Sequence, residues 1–154
     1  WLLAQEGFVV LTPAFRGSAG QGLDHMYQGL GANIGLADRD DVIEAGRWLA
    51  AREDIRPDGV AIGGKSWGGY LTFQALTSGD HPFACGWAGA GLTDWFIQQR
   101  ETEVRYYDRQ LLGGYITDAE VAGRARKRSP ITYVKRLDRH LLITHGAEDR
   151  ECSP

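Results

Sequence analysis

Ser66 stands at the centre of Gly64-Lys65-Ser66-Trp67-Gly68, a G-x-S-x-G pattern. Such a serine becomes a nucleophile when it sits on a sharp strand-to-helix turn that lifts its hydroxyl clear of a sheet. Positions two residues away must then be small, so that strand and helix can pass closely, and Gly64, Gly68 and Gly69 supply that space. The same turn aims the Trp67 main-chain N–H at the oxyanion that develops when an acyl carbon is attacked. In a chain with 21 glycines the bare pattern arises by chance often enough to need its context. An apolar run before it and a helical pattern after it supply that context.

A serine nucleophile also needs a base and an acid that orients the base. In folds built around this turn the chain order is serine, acid, histidine. Asp149 follows the apolar run Leu141-Leu142-Ile143-Thr144 and is the best acid candidate; Asp94, after an earlier run, is second and suits a cap or turn better. The four histidines, His25, His81, His140 and His145, all precede Asp149. His145 shares the acid's own strand-to-loop junction and cannot easily swing round to Ser66. His81-Pro82 reads as a surface turn, and His25 and His140 have no special context, so no residue of this chain is assigned as the base.

Rival chemistries are weaker. Gly59 followed by Gly64-Lys65-Ser66 formally satisfies the G-x-x-x-x-G-K-[ST] phosphate loop. There the four intervening residues should curl around phosphate, whereas Val60-Ala61-Ile62 reads as the strand itself, after the charged turn Arg56-Pro57-Asp58. The loop Arg16 to Gly22 spaces its glycines as G-x-x-G-x-G, not as the dinucleotide fingerprint, and reads as a structural loop near the site. Two cysteines make neither a disulfide framework nor a four-ligand zinc site, and Cys85 reads as a small core residue. No metal cluster or cofactor fingerprint is present, so neither is expected.

The elements that must position Ser66 follow from periodicity. Phe8–Thr12 reads as a strand buried on both faces, then come a helix from Asp38, as N-cap, to about Arg52, and strands at Val60–Gly63, Phe83–Ala88 and Leu141–Thr144. Val42, Ala45, Gly46 and Leu49 line one face of the first long helix. A helix over Gly69–Ser78 closes at Gly79. Residues 96–130 are polar and hold two helices, one opening on the capping box Thr117-Asp118-Ala119-Glu120. The opening residues read as the last turns of a helix capped at Gly7. Strands alternating with helices give an α/β fold with a mostly parallel sheet flanked by helices.

Composition narrows the partners. A net charge of −3 implies no general attraction to nucleic acid or anionic membrane. The arginines from Arg124 to Arg128 read as a solvated helix end complementing the dipole. No apolar run approaches the ~18 residues that cross a bilayer, and no leader pattern opens the chain. The compartment is not fixed, and the cytoplasm is slightly favoured. The chain starts at Trp1 and stops at Cys152-Ser153-Pro154 without a closing element, so both ends look cut.

With these segments in order, the chain resembles the catalytic domain of the prolyl oligopeptidase family of serine peptidases, in its acylaminoacyl-peptidase and dipeptidyl-peptidase branch. The resemblance runs through Gly7-Phe8-Val9-Val10-Leu11, Arg16-Gly17-Ser18-Ala19-Gly20-Gln21-Gly22, Gly35-x-x-Asp38-x-x-Asp41, the Ser66 pentapeptide with Gly69-Tyr70, Thr93-Asp94-Trp95, Ser129-Pro130-Ile131 and His145-Gly146-x-x-Asp149. It implies an α/β-hydrolase fold, Ser66 as nucleophile, Asp149 as triad acid and the Trp67 amide as one oxyanion donor, with a peptide or acyl-peptide as substrate. It also implies that residues 1–154 are a partial domain, lacking the first strands and the last strand with the catalytic histidine. The expected parent is then a serine peptidase working through an acyl-enzyme, and this chain alone would be inactive or nearly so. An esterase or lactonase of the same fold, and a non-catalytic hydrolase-like fragment, remain open alternatives; the oligomeric state is not readable.

Overall fold

Three short runs rich in small and apolar residues form a parallel sheet, with β1 (Ala61–Lys65), β2 (Cys85–Gly89) and β3 (His140–Thr144) in the order β1-β2-β3. Gly63 lies opposite Trp87 and Ala88 opposite Ile143. The computed structural model describes residues 2–56 and 58–154. Parallel neighbours need long crossovers. Here β1 returns to β2 through α4 (Trp67–Leu76), and β2 to β3 through α5 (Trp95–Glu101), α6 (Arg105–Leu112) and α7 (Ala119–Arg128). Ahead of the sheet lie α1 (Leu2–Gln5), α2 (Leu23–Tyr27) and α3 (Ala37–Ala50). The region 96–130 thus contributes to three helices rather than two.

α4 is the central element. Every residue from Gly69 to Leu76 is buried, as expected of a helix apolar on most of its circumference. It packs against β1 and β2 on one side and α3 on the other. One apolar cluster gathers Tyr70, Leu71, Trp95 and Leu112 between α4 and the later helices. A second joins Ile43, Val60, Leu76 and Phe83. On α3 the buried stripe centres on Ile43 and Gly46, with Val42 and Leu49 only partly covered. Gly46 is required there, because a Cβ would stand 2.5 Å from the Phe83 ring.

Several expectations are corrected. Phe8–Thr12 is not a paired strand, and Phe8 to Leu11 are exposed, since no described strand lies beside them to complete a ladder. Within residues 1–154 the sheet is covered on one face only: Ala61, Gly63, Lys65, Cys85 and Trp87 are all exposed. Cys85 lies on that uncovered face, so residues 1–154 alone do not bury it. Continuous apolar composition cannot distinguish one covered face from two. Asp38 lies inside the first turn of α3 instead of capping it. The cap of α7 is Asp118 rather than Thr117, accepting from the Glu120 N–H at 2.9 Å and the Val121 N–H at 3.1 Å. The arginine-rich end of α7 is more than a solvated terminus: Arg124 bonds the Leu112 carbonyl and Glu120, and Arg128 donates to the Ala32 carbonyl. Gly7, at φ 85°, does close α1, while Trp1 lies outside the described residues.

Candidate active site

Ser66 alone joins β1 to α4, and its backbone takes φ 56° and ψ −116°. A side chain there costs on the order of 1–3 kcal/mol, so the surrounding structure must hold it. The Ser66 N–H donates to the Gly89 carbonyl at 2.8 Å, tying the turn to β2. The Ser66 carbonyl accepts from the Tyr70 N–H at 2.9 Å, starting α4. The residue is exposed, with its hydroxyl at the positive end of a ten-residue helix.

Close approach fixes the glycines, though not all three alike. A Cβ on Gly64 would stand 2.6 Å from the Gly68 Cα, and one on Gly69 would stand 2.8 Å from the Gly91 Cα and 2.9 Å from the Gly89 carbonyl oxygen. A Cβ on Gly68 would meet nothing within 4 Å. Gly68 therefore matters as the surface against which Gly64 packs, not as a position that itself excludes a side chain. Ala90, at φ 45°, is a second strained residue beside the turn, its N–H bound to the Thr144 carbonyl at 2.8 Å. Only the run Gly89-Ala90-Gly91 hinted at it.

As the first residue of α4, Trp67 has no intrahelical acceptor for its main-chain N–H, which is free to face a ligand beside Ser66. Its indole packs on Tyr70 at 4.9 Å and edge-on to Trp95 at 6.2 Å between ring centroids. Tyr70 in turn donates to the Arg128 carbonyl at 2.9 Å, so an aromatic and hydrogen-bonded block backs the turn.

Asp149 sits in the turn after β3. Its Oδ1 accepts from the Glu151 and Cys152 N–H groups, both at 2.9 Å. The Cys152 N–H, opposed by partial burial and aided by Glu151, His145 and Lys65, holds this carboxyl below the usual carboxylate range. The carboxylate is therefore ionised at neutral pH. Cys152 lies in the same turn, and its side chain is half-buried. Burial, then the Asp149 charge, push that thiol's pKa up, so it stays protonated at neutral pH. Helix α5 and the residues just after it pin the same turn: the Gln98 side chain donates to the Glu151 carbonyl at 2.7 Å, and the Glu103 N–H to the Arg150 carbonyl at 2.9 Å.

The other candidates take structural places. Asp94 caps α5, accepting from the Phe96 N–H at 2.8 Å. His145 approaches Asp149 at 3.6 Å, but its Nε2 lies 2.9 Å from the Cys152 carbonyl. His25 Nε2 contacts the Phe15 carbonyl at 2.9 Å, and His81 accepts from the Phe83 N–H at 3.3 Å. Among the described residues no histidine hydrogen-bonds Ser66, and no cluster of metal-ligating side chains is present. Residues 61–65 are strand, so the rival phosphate loop has no loop to form. The Arg16 loop is anchored to α3, with the Arg16 guanidinium donating to Asp41 at 2.7 Å and to the Ala37 carbonyl at 3.1 Å. Chemically, then, the chain offers an exposed hydroxyl at a helix N-terminus, a main-chain N–H without an intrahelical acceptor beside it and an ionised carboxylate on the turn after β3.

A sequence model described as "Prolyl oligopeptidase family" matches residues 1–154. The chain is 35% identical over 152 residues to dipeptidyl aminopeptidase BIII of Pseudoxanthomonas mexicana, covering 96% of this chain and 22% of that protein. It is 27% identical to dipeptidyl-peptidase 5 of Porphyromonas endodontalis, again over 96% of this chain and 22% of the relative. Among solved structures, an acylaminoacyl peptidase of Pyrococcus horikoshii superposes with a TM-score of 0.79 at 28% identity, over 90% of this chain and 22% of that one. A puromycin hydrolase superposes at 0.80 with 27% identity, over 91% and 21%. The chain thus spans about a fifth of the length of these relatives. No described helix is long and apolar enough to cross a membrane.

Proposed function

The chain belongs to the prolyl oligopeptidase family, and on that membership we propose that it is the nucleophile-bearing segment of a serine peptidase acting on peptides or acyl-peptides. Ser66 Oγ attacks the scissile carbonyl carbon while a histidine outside residues 1–154 takes its proton. The developing oxyanion accepts a hydrogen bond from the Trp67 N–H, a type of contact worth about 3–4 kcal/mol per donor. The carbonyl re-forms, the C–N bond breaks, and the histidine returns the proton to the leaving amine. Water then attacks the Ser66 acyl ester, with the same histidine as base, and regenerates the hydroxyl. Asp149 stays ionised throughout and orients the histidine.

The observation that carries this reading is the backbone of Ser66, at φ 56° and ψ −116° between a strand and a helix. A strained residue is retained where function needs its geometry. Its glycine supports and the depressed pKa of Asp149 are consistent with it. The domain is completed by segments outside residues 1–154, which also carry the base, so this chain alone is inactive or nearly so. The test is hydrolysis by the complete protein of dipeptidyl and N-acyl-aminoacyl chromogenic amides beside short-chain esters. Amide turnover abolished by Ser66→Ala supports the peptidase; turnover of esters alone replaces it with an esterase; no turnover of either refutes an enzymatic role.

A further inference from the structure

The carboxylate of Asp149 is held by peptide groups that are themselves held from behind. Its Oδ1 accepts from the Glu151 and Cys152 N–H groups, both at 2.9 Å. The Cys152 N–H belongs to the same peptide as the Glu151 carbonyl, and that carbonyl accepts from the Gln98 side-chain amide at 2.7 Å. The Glu151 N–H belongs to the same peptide as the Arg150 carbonyl, which accepts from the Glu103 N–H at 2.9 Å. A trans peptide is planar and points its C=O and N–H in opposite directions. Each N–H that holds Oδ1 is thus fixed by a donor on the far side of its own peptide. Gln98 is the side chain in this frame, and it is 4% exposed. Three residues before it on the same helical face stands Trp95, whose ring meets the Trp67 indole edge-on at 6.2 Å. One short helix therefore backs the residue after Ser66 at its start and the Asp149 turn at its middle.

Burying an amide side chain is costly unless it is hydrogen-bonded, and an apolar residue would fill the same place without needing a partner. Here the amide is spent on one peptide of the acid's own turn. Resting on the assignment of Asp149 as the acid above, we propose that Gln98 is a positioning residue for that acid. It fixes the peptide between Glu151 and Cys152, and through that peptide the direction of the Asp149 carboxylate. Its amide bonds main chain and not the carboxylate itself. Donation to the carbonyl end of a peptide also polarises the N–H end, so the Cys152 N–H holds Oδ1 more strongly. With Oδ1 taken by two main-chain donors, Oδ2 is the oxygen left for the histidine that lies outside residues 1–154.

The experiment is steady-state kinetics of the complete protein on a peptide amide, with Gln98→Met, Gln99→Met, Asp149→Ala and the Gln98→Met/Asp149→Ala pair. Gln98→Met keeps the length and bulk of the side chain and removes the donor. A misplaced catalytic group costs up to about 100-fold, so Gln98→Met should lower kcat by about 5–50-fold with KM within about 2-fold. In the Asp149→Ala background the same change should cost less than about 2-fold, because Gln98 acts only through that acid. Gln99→Met is the control. That neighbour is similarly buried but braces the loop after α6, donating to the Gly114 carbonyl and accepting from the Ile116 N–H, both at 3.0 Å. Its loss should lower Tm and leave kcat within about 2-fold of wild type. An unchanged kcat in Gln98→Met, a loss confined to KM, an undiminished loss in the Asp149→Ala background, or an equal kcat loss in Gln99→Met overturns the assignment. If Gln98→Met does not fold, Gln98→Leu reads the same lost donor in a shorter apolar side chain, and an unchanged kcat there overturns it. Asp149→Ala alone separates the two claims. Full activity in that variant sinks the acid reading and this proposal together, while a large loss in Asp149→Ala beside a wild-type-like Gln98→Met sinks the proposal alone.

Discussion

Replacing Gly64 by alanine puts a methyl carbon 2.6 Å from the Gly68 Cα and 2.7 Å from its carbonyl carbon. Ordinary carbon contacts lie near 3.5–4.0 Å, so β1 and α4 would have to separate by roughly 1 Å. Helix α4 has little room to retreat, because Gly69 is already backed by the Gly91 Cα at a distance of 2.8 Å from any added Cβ. Overpacking of this kind costs about 1–3 kcal/mol, and the rigid backbone on both sides argues for the upper end. At about 2–4 °C per kcal/mol for a domain of this size, Gly64→Ala should lower Tm by roughly 6–12 °C. Gly68→Ala is the internal control. Its methyl meets nothing within 4 Å, and alanine favours a helix over glycine by up to about 1 kcal/mol, so its Tm should hold or rise. Thermal unfolding of the complete protein, followed by tryptophan fluorescence, reads both. Equal destabilisation by the two substitutions, or a neutral Gly64→Ala, would refute the reasoning that one glycine of the pentapeptide excludes a side chain and the other only receives its neighbour.

Asp94→Ala removes the cap of α5 and should cost about 0.5–2 kcal/mol in urea melts, with kcat/KM within about 2-fold of wild type. Asp149→Ala should do the reverse, lowering kcat by about 10⁴ with a small change in stability; exchange of these two outcomes would make Asp94 the acid. The pH dependence of stability separates the carboxylates. Burial raises the pKa of Asp38 to about 6, so its contribution is fully present below about pH 4 and lost as pH rises through about 6. Asp38→Asn should flatten that limb, by at most about 3 kcal/mol between pH 4 and 7.5. Asp149, with its pKa depressed, contributes above the usual carboxylate range and loses that contribution as pH falls below it. Parallel pH profiles for wild type and Asp38→Asn in urea melts would contradict the Asp38 assignment of this slope.

Three of the four expected strands and the order of elements were legible because short apolar runs of four to six residues leave few alternatives, and α4 is apolar at most positions. The turn at Ser66 was legible for a different reason: its spacing is dictated by backbone contact, which writes glycine into fixed positions. Long-range placement was not. The exposure of Cys85 and of Phe8–Leu11 depends on which faces other elements cover, and an apolar run reads the same either way. The Gln98 tie to Glu151 and the Tyr70 bond to the Arg128 carbonyl join residues 53 and 58 positions apart, with no local period to betray them. Helix caps shifted by a residue or so, as at Asp118, since neighbouring Thr and Asp offer the same hydrogen bond.

We propose that Ser66 is the acylating residue and that its activation comes from outside residues 1–154. A fluorophosphonate probe, with the adduct located by peptide mass spectrometry, tests both halves on the complete protein and on the 154-residue chain in parallel. Rapid labelling of Ser66 is expected in the complete protein, none in its Ser66→Ala variant, and labelling of the isolated chain that is absent or slower by several orders of magnitude. Adducts on another residue of the complete protein, or equally rapid Ser66 labelling in the chain alone, would contradict it.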